Sequence, residues 1–334
     1  MNSMKKSKLI YVIYLILILS ITAIFSIQIF DKKISKPQQS GKIIEPIINI
    51  KEIPIDEFLI YSLKEQQETE KKCEYEERNN LGFKDFEWQI QKPSNTYRII
   101  TLGDSMTVGL CVRNEYTWPK QLEGKLNDLN FPIKLEVFNM GSHELDTGTS
   151  EELGTLKNFS LKYNPNMIIL EYYNNDWVSL EIKAKAKELW NKYQKGEYKL
   201  PPTIEKEVEK LNASKTDISG ILYGILWLEY FKTANLEEEW DKWVAPYLTE
   251  IIEICRDKNI KLIIITWDSD QHQMDKLIPI LKNYSIPFYD FSNYLPWRPC
   301  PSNTRLPDCH LTPLGYEIVT NRTLDVLLKK LNLS

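Results

Sequence analysis

From residue 97 onward the chain repeats one unit: a short, nearly continuous apolar run followed by a segment with helical spacing. The runs are YRIITL (97–102), IKLEVFNM (133–140), NMIILEYY (166–173), KLIIITW (261–267) and IPFYDF (286–291). A strand apolar at consecutive positions is buried on both faces, as in a parallel sheet covered by helices; a half-exposed strand would alternate. Between the runs, WPKQLEGKLNDLN repeats Leu122, Leu126 and Leu129 at helical spacing, with Pro119 in the first turn. TSEELGTLKNFSLKY reads as a helix capped by Thr149 or Ser150 with Glu152 in its first turn, and TPLGYEIVTNRTLDVLLKKL as a closing helix. The pattern predicts a three-layer α/β/α fold around a mostly parallel five-stranded sheet, whose ligands bind beyond the carboxyl ends of the strands.

The alternation lapses over 177–237, a Trp- and Tyr-rich helical insertion that contains GILYGILWLEYF (220–231). That run is too short to span a membrane and reads as a buried helix, or as a lid over the same rim of the sheet. The N-terminus differs. Lys5, Lys6 and Lys8 precede an uncharged run from Leu9 to Phe30. As a helix it would extend ~33 Å, enough to cross a bilayer core. It lacks the small-x-small exit of a cleaved signal peptide, so it is expected to stay as a single-pass anchor. Lys32, Lys33 and Lys36 nearly balance the charge across it; the expected orientation places residues 1–8 inside and the rest outside the cytoplasm. Residues 31–57, broken by Pro37, Pro46 and Pro54, read as a tether, and 58–96 as an extension packing on a core domain of 97–334. With 42 basic against 46 acidic residues the chain offers no electrostatic case for nucleic acid. Its five cysteines form no CxxC pair, which removes a zinc-finger reading. Cys300 and Cys309 flank a Pro-rich loop and can form a disulfide in an oxidising space.

Chemistry-bearing residues gather after the strands. The first strand runs into Gly103, Asp104 and Ser105. The three histidines are His143, His272 and His310, each just past a strand or before the last helix. His310 has a carboxylate, Asp308, two residues away, which can fix its tautomer and stabilise the imidazolium. The third strand ends in Asn174, Asn175 and Asp176, and an Asn amide can donate to a developing oxyanion. Nucleophile, base with its orienter, and oxyanion donor make a set for acyl transfer. A metal-dependent alternative rests on Asp268, Asp270 and His272, a carboxylate–carboxylate–imidazole set. Trp177, Trp190, Trp227 and Trp297 could stack on sugar rings or simply pack.

In these blocks the chain resembles the SGNH hydrolase superfamily, also called GDSL esterases and lipases. LGDSMTVG is similar to its first block, VFNMGSHELDT to its second, YYNNDW to its third and DCHLTPLGY to its last, in order from about 97 to 332. NNLGFKDFEW and EYTWPKQLEGKL further resemble a membrane-anchored subgroup. The resemblance implies Ser105 as nucleophile, His310 as base, Asp308 as its orienter and Asn175 as oxyanion donor. The family's second-block glycine is replaced by Glu144, so the remaining backbone donor is either Glu144 or Gly141, and Tyr173 replaces the glycine before the Asn block. The expected activity is serine esterase chemistry on an O-acyl ester of a small molecule or glycan, short-chain or acetyl, needing no metal or organic cofactor. O-acetyl transfer to a glycan, and a non-catalytic tethered binding module, are the alternatives.

Overall fold

The computed structural model describes residues 73, 77–142, 148–173, 175–176, 180–233, 236–267, 271–295, 302–306 and 309–330, without the side chains of 180–183, 216–217, 227–233, 236–237 and 271–272. The proposed anchor at 9–30 and the tether lie outside these residues. Among the described residues no helix is long and apolar enough to cross a membrane.

Five parallel strands, β1 (Thr96–Leu102), β2 (Lys134–Asn139), β3 (Met167–Glu171), β4 (Lys261–Thr266) and β5 (Phe288–Asp290), form one sheet in the order β2-β1-β3-β4-β5. The helices are α1 (Ser105–Val108), α2 (Trp118–Asp128), α3 (Thr149–Asn158), α4 (Leu180–Gln194), α5 (Pro202–Lys210), α6 (Lys215–Thr233), α7 (Leu236–Trp243), α8 (Ala245–Asp257), α9 (Gln271–Asn283) and α10 (Pro313–Lys330).

The apolar runs are continuous because consecutive strand residues enter two different cores. Ile100, Leu102, Phe138, Leu170 and Ile264 meet Leu153 and Leu156 of α3, Ile251 and Ile252 of α8, and Leu277 and Leu281 of α9. Ile99, Val137, Ile169, Ile263 and Ile265 meet Trp118 and Leu122 of α2, and Tyr316 and Val319 of α10, on the other face. Each fully buried aliphatic side chain of this kind contributes roughly 1.5–3 kcal/mol, so a polar residue at any of these positions would be costly. β5 is shorter than its apolar run and only half-buried, as suits an edge strand.

Two local expectations are corrected. Gly148, not Thr149 or Ser150, caps α3: the Glu151 carboxylate reaches back to accept the Gly148 N–H at 3.2 Å, which draws Thr149 into the first turn. The helix expected over 149–163 ends at Asn158 and continues as a 3-10 turn, Ser160–Tyr163.

The stretch between β3 and α8 carries helices α4–α7. It has its own small core of Leu200, Ile204, Val208, Ile221, Leu222 and Ile225. Trp190 borders that core and stacks on Tyr193, with ring centroids 5.9 Å apart, which explains it as packing. Trp177, Trp297 and the Trp227 side chain lie outside the described residues. Upstream of β1, Trp88 stacks on Phe138 at 5.0 Å and 9°, fastening the segment before β1 to the sheet.

Candidate active site

The strand order reverses direction between β1 and β3, and the crevice beyond their carboxyl ends is where such sheets bind ligands. Ser105 follows β1 and Asn175 follows β3, so the two stand on either side of that crevice.

Ser105 opens a single-turn helix held between two glycines. At Gly103 (φ +157) a Cβ would lie 2.4 Å from both Glu171 Oε2 and Thr107 Oγ1, so no larger residue fits. Asp104 caps α1 by accepting the Met106 N–H at 2.7 Å. Gly109 ends it at φ +77, with Thr117 Cγ2 only 2.5 Å from where a Cβ would sit. Met106, Thr107 and Val108 are buried, while Ser105 is half-exposed. Its N–H, at the first helical position, is not needed by the helix.

His310 reaches the same rim from the loop before α10. Its Nε2 lies 2.9 Å from Ser105 Oγ. The loop is fixed by the backbone bonds Cys309 N–H to Leu306 O (2.9 Å) and Leu306 N–H to His310 O (2.8 Å). The fully buried Arg305 donates from Nη1 to the Cys309 carbonyl at 2.9 Å. Cys309 is disulfide-bonded and adopts φ +71. Its expected partner Cys300, and Asp308, lie outside the described residues. A second disulfide joins Cys73 to Cys111, just past α1; Cys255 is free and buried, its thiol pushed up to about 12 by that burial.

The Asn175 turn is pinned by its neighbour. Asp176 Oδ2 accepts the Tyr173 N–H at 2.8 Å, and the Asp176 N–H returns to the Tyr173 carbonyl at 3.2 Å. The Asn175 amide and the His310 ring both face Asp104.

The second block does not place Gly141 as an oxyanion donor. Its N–H is directed to Asn139 Oδ1 at 3.1 Å, and the next one, of Ser142, to the Gly103 carbonyl at 3.0 Å. Gly141 is a glycine for another reason: a Cβ there would lie 2.5 Å from the Val108 nitrogen, on the back of α1. Glu144 and His143 lie outside the described residues, as do Asn174, Asp268 and Asp270 and the His272 side chain. Among the described residues no group of three or more His, Cys, Asp or Glu is disposed to hold a metal ion.

The sequence reading missed three residues that build this site. Lys84, itself buried, donates to the Gly109 and Val112 carbonyls at the exit of α1. Asp85 accepts the Asn139 N–H at 2.8 Å and Trp88 Nε1–H at 2.9 Å, tying the second block to the upstream segment. Burial pushes the Asp85 carboxyl above its ordinary range, against the pull of Lys120 at 3.1 Å. Glu171, at the end of β3, accepts the Thr107 hydroxyl at 3.0 Å. Burial first, and then the charges of Asp104 and Asp176, push its carboxyl well above the carboxylate range. The available signal was a single acid closing an otherwise apolar strand, MIILE.

No family model and no curated protein matches the chain. Among solved structures it is similar to a psychrotrophic esterase from Pseudoalteromonas sp., at 12% identity and a TM-score of 0.45, over 70% of this chain and 98% of that one. It is also similar to an acetyl xylan esterase (15%, TM-score 0.41, 69% and 99%) and to a lipase/acylhydrolase from Enterococcus faecalis (12%, TM-score 0.38, 70% and 96%).

Proposed function

We propose that the chain is a serine esterase of the SGNH type. The observation that carries this reading is the 2.9 Å approach of His310 Nε2 to Ser105 Oγ at the carboxyl rim of the sheet. A serine hydroxyl becomes an effective nucleophile only when a base can take its proton within hydrogen-bond reach. In the proposed reaction Ser105 Oγ attacks the ester carbonyl as its proton passes to His310. The Ser105 N–H and the Asn175 amide receive the developing oxyanion. His310 then returns the proton to the leaving alcohol, and water repeats the cycle in reverse to free the acid. Asp308 takes the remaining role of holding the other imidazole nitrogen.

A short O-acyl ester of a small molecule or glycan is the proposed substrate, and the apolar run at 9–30 the proposed membrane anchor. The disulfides at Cys73–Cys111 and Cys309 support a catalytic domain in an oxidising space outside the cytoplasm.

The test is fluorophosphonate labelling with a panel of p-nitrophenyl esters. Wild type is expected to label and to turn over acetyl and butyryl esters fastest, and Ser105→Ala to do neither. Absence of labelling in folded wild type would overturn the reading, and turnover of long-chain esters alone would overturn the substrate class.

A further inference from the structure

Beneath the dyad lies a pair of acids that the proposed reaction does not use. Asp104 and Glu171 are 1% and 0% exposed, and come from the ends of adjacent strands. Glu171 Oε2 is occupied by the Thr107 hydroxyl at 3.0 Å and, more weakly, the Asp104 N–H at 3.4 Å. Asp104 Oδ1 is occupied by the Met106 N–H. Their other oxygens, Asp104 Oδ2 and Glu171 Oε1, are buried without a donor among the described residues. Two carboxylate oxygens cannot satisfy each other; among the described residues His310 faces Asp104 from the rim, and Lys84 bonds carbonyls at the exit of α1 instead. One proton between the acids repairs both deficits at once.

We propose that Glu171 and Asp104 share a single proton, and that this proton makes Glu171 a positioning residue for the nucleophile turn and the Asn175 amide. The claim rests on the esterase reading only for what is being positioned. Gly103 is the geometric counterpart: its missing side chain leaves the space in which Glu171 and Thr107 meet. The other groups facing the pair are Asp176 from the turn after β3, Asn175 beside it and His310 from the loop before α10; β4 sets Ile265 opposite Glu171. Asp104 is the anchor common to the turn, through Met106, and to the rim, through Asn175 and His310. With the proton in place Asp104 can carry one negative charge toward those partners. Without it two adjacent buried charges repel, and the capped turn is what has to yield.

Glu171→Gln, whose amide imitates the protonated acid, is compared with Glu171→Leu, which offers no donor. Glu171 is held above its unfolded value, so its contribution is complete at low pH and is lost as pH rises. Relative to wild type, Glu171→Gln should therefore gain melting temperature progressively over the range that runs from the ordinary carboxylate pKa up to alkaline pH. Its fluorophosphonate labelling should also decline less over the alkaline part of that range. At neutral pH it should label more slowly than wild type but at least roughly tenfold faster than Glu171→Leu, the rescue a purely space-filling role would not give. Parallel melting curves for wild type and Glu171→Gln would overturn the shared proton. Altered melting with an unaltered labelling profile would overturn the positioning role. The melting curves need no catalysis, so this outcome stays distinct from failure of the esterase reading. Should Glu171→Leu not fold, the Gln curves alone decide.

Discussion

Strand β1 ends in buried charge at both of its termini, and the two ends are built on opposite principles. At the amino end Arg98 is fully buried and meets Glu136, its register partner on β2, with Nη2 2.7 Å and Nε 2.9 Å from Oε2. Its Nη1 donates to the Tyr163 carbonyl at 2.7 Å, and the guanidinium lies 4.7 Å from the centre of the Phe138 ring. Burial would raise the Glu136 carboxyl, but hydrogen bonds from Arg98 and Lys134 outweigh it and hold it below the usual range. At the carboxyl end Asp104 faces Glu171, acid against acid, and both are displaced upward. One end is a compensated cross-link; the other keeps like groups together beside Ser105 and His310. Buried polar groups that a fold does not neutralise are good pointers to chemistry.

Substitutions around the two ends of β1 should differ in both size and kind. Ser105→Ala or His310→Ala should cost ~10⁴-fold or more in esterase turnover while leaving the melting temperature nearly unchanged. Loss of stability of similar size would mean that the hydroxyl and imidazole are structural. Arg98→Met should do the reverse, costing ~3–5 kcal/mol in urea unfolding, because Glu136 loses its buried counter-charge and the Tyr163 and Ile90 carbonyls lose their donor. A variant that folds normally would remove the contrast between the ends. Lys84→Met falls between: ~1–3 kcal/mol from two buried carbonyls left bare, with slower probe labelling, since those carbonyls close the turn that carries Ser105. Unaltered labelling would detach Lys84 from the site. Glu136→Gln should cost less than Arg98→Met, about 1–2 kcal/mol near neutral pH, because the amide oxygen still accepts from Arg98 while the buried guanidinium loses its counter-charge. A depressed carboxylate stabilises above its unfolded pKa and ceases to as pH falls through its folded one, so wild type and variant should converge on acidification. The two ends of β1 should thus slope in opposite directions with pH, and a common slope would refute the contrast.

The sheet was legible because its strands are apolar on both faces: the first four runs match β1–β4 to within two residues at either end. Ser105, Asn175 and His310 stand out in the sequence because each follows an apolar run or precedes a helix, where turn residues contrast with their surroundings. Less visible were residues whose role depends on what lies across the crevice. Glu171 reads as the polar end of a strand until Asp104 is beside it. Lys84 and Asp85 sit in a stretch of 77–95 with neither helix nor strand, and no periodicity marks them. Gly141 looked like a donor because glycines line oxyanion sites, yet it is the close packing of β2 on α1 that forbids a side chain there. Gly148 escaped notice as a cap because Thr149 and Ser150 are the better capping types in isolation, and only the reach of Glu151 decides between them.

The Cys73–Cys111 bond, spanning 38 residues of sequence, closes a ring of chain that contains Lys84, Asp85, all of β1 and Ser105. In the unfolded chain such a ring restricts wandering by about 4 kcal/mol. Ser105 and the lysine that closes its turn thus begin folding as near neighbours. A protease cutting once inside the ring would release nothing: the two pieces would migrate together on a gel until a thiol reductant parted them.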